Sequence, residues 1–152
     1  MINNSAKRVN LVSLKLVRES SFLYQERYVN SPSDAANIVR VFLEDEPSER
    51  LCVVCLDTKN QPTSLAMVSQ GTLNSTLVHP REIYKAAILG NANAIIVAHS
   101  HPSGIPTESK EDIEITRVLK NAGNLLGIEL LDHVIIGSDG RYVSLKEKGL
   151  LD

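Results

Sequence analysis

The apolar run Ala94-Ile95-Ile96-Val97-Ala98 leads without a break into His99-Ser100-His101, and Pro102 and Gly104 then stop it. Five apolar residues in a row between turn signals read as a short buried strand, which must sit inside a sheet. In an extended chain residues i and i+2 point to the same side, so His99 and His101 present two imidazoles to one point. Ser109 to Asp112 opens the next helical stretch, which carries Asp112 back towards the strand end. Two neutral nitrogens and one carboxylate suit Zn²⁺ and leave a fourth position for water.

The rest of the chain supplies the sheet and its cover. Residues 9 to 18 alternate loosely, with Val12, Leu14 and Leu16 on one side, and read as an opening strand; 23 to 29 read as a second strand or an arm. Ser31-Pro32-Ser33-Asp34 starts a helix, with Ser31 as N-cap and Pro32 in the first position. That helix runs into the acidic stretch Glu44-Asp45-Glu46. Residues 49 to 57 form a strand apolar enough to be buried on both faces, and 63 to 69 return as its hairpin partner. A loop at 71 to 78 leads to a helix from Pro80 to about Leu89, where His79 reads as a cap or loop residue and Arg81 and Lys85 as solvated. After the strand at 94 to 99 comes a helix from Ser109 to about Asn124, with Ile115, Val118, Leu119 and Ala122 as its buried stripe. Residues 128 to 136 are another strand, paired with 141 to 145 behind the Gly137-Ser138-Asp139-Gly140 turn. Within it, Asp132 and His133 face opposite ways; structural use is the first reading, and support of a metal ligand by one of the two is the second. Interleaved strands and helices with hairpins give an α/β (or α+β) class, a mixed sheet between helices.

With 152 residues, 43% of them apolar, the chain suits one folded core. A net charge of −2 exerts no general pull on nucleic acid or anionic membrane. The polar start and the lack of a long apolar span make the cytoplasm the expected compartment. Cys52 and Cys55 have the C-x-x-C spacing of redox and zinc-knuckle motifs, but they lie in a strand, where residues three apart face opposite ways. They read as buried, inert thiols.

Taken alone, Ser109-x-x-Asp112 is a helix capping box. Together with the histidines, Pro102 and the turn, it makes a five-position pattern expected by chance in on the order of one in many thousands of chains. Capping and metal binding need not compete at Asp112, since a carboxylate has lone pairs for both. The run resembles the JAMM metal-binding signature of the JAB/MPN metalloprotease superfamily: His-(Ser/Thr)-His-Pro, a short loop, Ser-x-x-Asp and a glutamate far upstream. More closely, the chain resembles the bacterial RadC family, named for DNA repair, from about Ser31 to Leu150. The stretches that carry this are Leu56-Asp57-Thr58-Lys59-Asn60, Gly71-Thr72-Leu73, Val78-His79-Pro80-Arg81-Glu82, His101-Pro102-Ser103-Gly104 and Leu131-Asp132-His133-Val134-Ile135-Ile136-Gly137. Many members have Asn where Ser100 stands here, and a second Pro at the position of Glu108; neither is a presumed ligand.

The resemblance implies a cytidine-deaminase-like JAB/MPN domain over residues 31–152, with 1–30 as an N-terminal strand or arm packed on it. It implies Zn²⁺ held by His99, His101 and Asp112. Glu49, eight residues before Asp57, takes the place of the family's upstream glutamate, and Glu44 and Glu46 are left as a solvated cluster. Glu49 is then the general base for a zinc-bound water of pKa about 7, and Ser109 the donor to the oxyanion. The expected partner is a peptide or protein substrate. Nucleic-acid maintenance is the alternative suggested by the family's name, but longer relatives carry a helix-hairpin-helix region for which this chain leaves no room. A non-catalytic binding module is the third reading, although the chain keeps every ligand.

Overall fold

A computed structural model describes residues 4–70 and 78–152. Three helices and five strands follow in the order α1 (Pro32–Leu43), β1 (Arg50–Leu56), β2 (Pro62–Gln70), α2 (Pro80–Leu89), β3 (Ala94–Ser100), α3 (Lys110–Leu126), β4 (Glu129–Ile136) and β5 (Tyr142–Ser144). The sheet order is β2-β1-β3-β4-β5. β1 is antiparallel to both β2 and β3, β3 is parallel to β4, and β4 is antiparallel to β5. This is the mixed α/β sheet that the sequence pattern predicts, and α3 is the crossover between its two parallel strands.

Each face of the sheet has its own core. Ala35, Ala36, Ile38, Val39 and Leu43 of α1 pack on Cys52, Val54, Ile96, Ala98, Val134 and Ile136. On the other face, Ile83, Tyr84 and Ala87 of α2 and Ile115 and Leu119 of α3 pack on Leu51, Val53, Cys55, Ile95 and Val97. Covered on both sides, β1 and β3 are apolar at successive positions, and each fully buried Leu, Ile or Val contributes roughly 1.5–3 kcal/mol. Cys52 and Cys55 are free thiols on opposite faces, both fully buried.

Local signals act where the sequence places them. Ser31 Oγ accepts from Asp34 N–H with Pro32 in the first helical turn, and His79 caps α2 by accepting from Arg81 N–H at 3.2 Å. Arg81 and Lys85 lie at the surface, where Lys85 pairs with Glu82 at 3.1 Å.

The N-terminal segment differs from the sequence reading. Residues 9 to 18 form no strand, and Val9, Leu11, Val12, Leu14 and Val17 are exposed. Residues 23 to 29 form an arm that ends on the core: Phe22 packs edge-on against Phe42 at 4.9 Å, and Val29 N–H donates to Asn60 C=O at 2.9 Å. Alternation marks a strand only where an edge is there to pair with, and among the described residues no backbone bond joins 9 to 18 to the sheet. The loop expected at 71 to 78 lies, up to residue 77, outside the described residues. Among the described residues, no helix is long and apolar enough to cross a membrane.

Candidate metal centre

The site forms where β3 ends. His99 is the last but one residue of β3 and shares a face with Ile95 and Val97, beneath α3. Pro102 breaks the strand, and the chain turns over Gly104 at φ +80°, a left-handed conformation that suits glycine. A Cβ there would stand 2.4 Å from Ser138 Oγ, so the loop lies hard against the end of β4. Gly104 N–H donates to His101 C=O at 2.9 Å and Ser138 N–H to Gly104 C=O at 3.0 Å. The pinned loop brings Ile105 C=O to 2.9 Å from His101 Nδ1, an acceptor that requires the proton on Nδ1 and, in the neutral ring, leaves the Nε2 lone pair free to bind a cation.

Asp112 arrives from α3. Ser109 caps this helix: its Oγ accepts from Asp112 N–H at 3.1 Å, and Asp112 Oδ2 accepts from Ser109 N–H at 2.9 Å. This capping box sets the carboxylate against the histidines. His99 Nε2 is 3.1 Å from Asp112 Oδ1, His101 Nε2 is 3.2 Å from Asp112 Oδ2, and the two Nε2 atoms are 3.1 Å apart. Bonds of about 2.0–2.1 Å at tetrahedral angles put ligand atoms about 3.3 Å from one another. The three residues thus fit one small tetrahedral cation with little adjustment, and they are the group among the described residues whose donor atoms converge tightly enough to hold a metal.

The electrostatics agree with the geometry. Burial alone would raise the Asp112 carboxyl, but the two histidines and the Ser109 N–H outweigh it and hold the group well below the usual carboxylate range. His101 is raised, first by its contact with Asp112, against the opposing effect of burial; the Ile105 carbonyl and the charges of Asp112 and Glu49 add to the rise.

Glu49 stands just before β1 and is half-buried. Leu51 pairs with His99 in the antiparallel register, so two further steps bring Glu49 level with His101, whose titration feels its charge. Ser100 steadies this approach: its Oγ accepts from Arg50 N–H at 3.1 Å and lies 3.5 Å from Ser48 C=O, one residue to either side of Glu49. The half-buried Ser109 hydroxyl, already an acceptor in the cap, keeps its own proton to donate. Glu44 and Glu46, expected as a solvated cluster, are instead partly buried in pairs: Glu44 with Arg40 at 3.7 Å and with Gly140 N–H at 3.1 Å, Glu46 with Arg50 at 3.1 Å.

Of the pair Asp132-His133, it is His133 that stands behind a ligand. His133 lies behind His99, with its Nε2 2.7 Å from His99 Nδ1 and its Nδ1 2.6 Å from Thr116 Oγ1. Burial pushes His133 down to about 3. Its neighbour Asp132 faces the other way and is structural, accepting from His133 N–H, Lys146 N–H and Ser144 Oγ–H. The sequence showed that the two residues diverge, but not which of them the register carries under α3.

A cavity of about 450 Å³ lies at the opposite end of the sheet, lined by Asn93, Lys120, Glu129 and Lys146 among others. Chemistry is assigned to the ligand cluster, because convergent donors at bonding separation are what a reacting centre needs and volume alone is not.

A family model described as a RadC-like JAB domain matches residues 29–150. The UPF0758 protein of Desulfitobacterium hafniense strain DCB-2 is 54% identical over 123 residues, which are 81% of this chain and 54% of that protein. The Caldanaerobacter subterraneus relative is 51% identical over 124 residues, 82% of this chain and 53% of its own. A Clostridium botulinum relative is 46% identical over 148 residues, 95% of this chain and 64% of its own. The chain therefore spans between about half and two thirds of the length of these relatives. A match over the whole sheet, together with His99, His101 and Asp112 at one strand end, places this chain in the RadC family of JAB domains.

Proposed function

We propose that this domain is a zinc-dependent hydrolase acting on peptide or isopeptide bonds. The observation that carries the reading is the convergence of His99 Nε2 and His101 Nε2, 3.1 Å apart, on the Asp112 carboxylate, whose Oδ1 is 3.1 Å from the first and Oδ2 3.2 Å from the second. A zinc ion bound there supplies Lewis acidity to a carbonyl and acidifies water at neutral pH. Membership of the JAB family supports a hydrolase. The two imidazoles and the carboxylate hold the cation. Glu49, level with His101 in the strand register, takes one proton from the attacking water as the water oxygen bonds to the carbonyl carbon. That proton then passes to the nitrogen as the C–N bond breaks, so the products are an acid and an amine. The Ser109 hydroxyl donates to the carbonyl oxygen as negative charge builds on it.

The nucleic-acid reading rests on the family's name, and a net charge of −2 lends it no electrostatic support. Metal analysis of protein purified without chelator tests the metal, and a mixture of peptide and isopeptide substrates tests the reaction. We expect one zinc per chain, lost in His99→Ala. Glu49→Gln should keep the zinc and the melting temperature but not the hydrolysis. No zinc in the wild type, or full turnover by Glu49→Gln, would overturn the reading.

A further inference from the structure

We propose that His133 and Thr116 are positioning residues of the metal centre: their hydrogen-bond line holds His99 as the Nδ1–H tautomer and so aims a bare Nε2 at the cluster. The inference rests on the metal reading above and extends it to two residues outside the ligand set. The argument is a count of protons. Thr116 has one hydroxyl proton, and its Oγ1 is 2.7 Å from the Asp112 carbonyl, which can only accept. The proton is committed there, so Oγ1 must accept from His133 Nδ1–H at 2.6 Å. A singly protonated His133 then has a bare Nε2, which accepts from His99 Nδ1–H at 2.7 Å. His99 is left with its lone pair on Nε2, the atom that faces Asp112 and His101.

Each step is sealed from water. His99, His133 and Thr116 are at most 1% exposed, so no solvent molecule substitutes for a missing partner. The line also closes on itself. Thr116 stands one turn after Asp112 on α3, and its bond to the Asp112 carbonyl ties one ligand's backbone to the ring of another. His101 is fixed separately by Ile105 C=O. With both rings set, each ligand turns an acceptor to one point and its protons away from it. A cation satisfies that arrangement.

Thr116→Val keeps the shape and removes the hydroxyl. His133 is then free to carry its proton on Nε2, facing His99 Nδ1, which drives the His99 proton onto Nε2 and into the metal position. Zinc affinity, measured by competition with a chromophoric chelator, should fall about 10–100-fold, the usual effect of losing a partner of a ligating histidine. His133→Leu should do the same, and Thr116→Ser should restore the wild-type value. Nitrogen-15 imidazole spectra of the metal-free protein should show His133 with its proton on Nδ1 in the wild type and shifted towards Nε2 in Thr116→Val. Thermal melts of the metal-free variants identify any that fail to fold; Thr116→Val, which replaces hydroxyl by methyl, decides if His133→Leu does. Wild-type zinc affinity in Thr116→Val, or an Nε2 proton on His133 in the wild type, would overturn the proposal. A wild type that binds no zinc would sink the hydrolase reading instead, and the imidazole spectra would still decide the direction of the line.

Discussion

Asp112 is both helix cap and metal ligand, and Asp112→Asn separates the two tasks. The asparagine oxygen can still accept from Ser109 N–H, which Asp112 Oδ2 now does at 2.9 Å, so the capping box survives. The amide nitrogen then falls where Oδ1 stood, 3.1 Å from His99 Nε2. In the metal-free protein two effects oppose. Losing a carboxylate in the first turn of α3 costs about 0.3–1 kcal/mol of favourable interaction with the helix dipole. The new N–H···Nε2 bond returns about 0.5–1.5 kcal/mol. The net change should stay within about 1 kcal/mol, or about 2–4 °C for a domain of this size.

With zinc the outcome reverses. At a free zinc concentration 100 times Kd, binding stabilises the wild type by about 2.7 kcal/mol, or roughly 5–10 °C. Replacing the anionic ligand by an N–H that points at the cation should weaken binding at least 100-fold. At the same zinc concentration the variant then gains only about 0.4 kcal/mol, roughly 1 °C. Melts at pH 8, with chelator and with buffered zinc, give both numbers. A zinc-induced shift equal to that of the wild type would mean that Asp112 only caps. A metal-free loss of about 3–5 kcal/mol would mean that it is half of a buried ion pair with a protonated imidazole, and that the carboxylate is there for stability.

Two further predictions concern residues beside and away from the ligands. Ser109→Ala should cost about 1 kcal/mol through the lost N-cap and Ser109→Gly only a few tenths, yet both should lower kcat by about 10²–10³ if the hydroxyl serves the oxyanion; turnover that followed stability instead would leave Ser109 as a cap alone. Alkaline unfolding should reveal the buried core acids. Burial pushes Cys52 up to about 12, against a small opposing effect of Arg50, and pushes Tyr84 up to about 12, whereas unfolded chains release these protons near about 8.5 and about 10. The folded state keeps protons that the unfolded state sheds, so stability is full below about pH 8.5 and falls as pH rises towards 12, by about 1.4 kcal/mol per pH unit for each group in its window. Urea melts at pH 7, 9 and 10.5 measure the slope; a flat profile would mean that these groups ionise inside the fold.

The sheet was legible because its strands are buried on both faces and therefore written as apolar runs: Leu51 to Leu56 and Ala94 to Ala98 have no other economical reading. The helices were legible from their caps, Ser31, His79 and Ser109. The opening segment misled because Val12, Leu14 and Leu16 alternate as a strand does, while a strand also needs a neighbour, and period carries no information about neighbours. Glu46 misled for a similar reason: its partner, Arg50, is four residues on but outside any helix, so no periodic pattern announces the pair. The ligands were legible because the two histidines are local to each other and Asp112 is local to a cap. Which of Asp132 and His133 stands behind a ligand was not, because the bond from His133 to His99 spans 34 residues and depends on how two parallel strands slide past each other.

That slide turns on a single residue. Ile95 pairs with Leu130, but Ile96 pairs with Asp132, so Leu131 is an extra residue in β4. Counted straight on from Leu130, Asp132 would have fallen beside Val97, on the face covered by α3, and His133 beside Ala98, under α1. The bulge exchanges them. Asp132 turns to the α1 side, where Ser144 Oγ–H, Lys146 N–H and His133 N–H satisfy it, and His133 goes beneath α3 to meet Thr116 and His99. A carboxylate in the latter place would be a second buried anion close to Asp112, accepting from His99 but with nothing to donate to Thr116. An imidazole accepts on one side and donates on the other, as a line between His99 Nδ1–H and a hydroxyl oxygen requires. The chemistry at the tip of β3 thus depends on an irregularity at its base, and a sequence records that irregularity only as one more leucine.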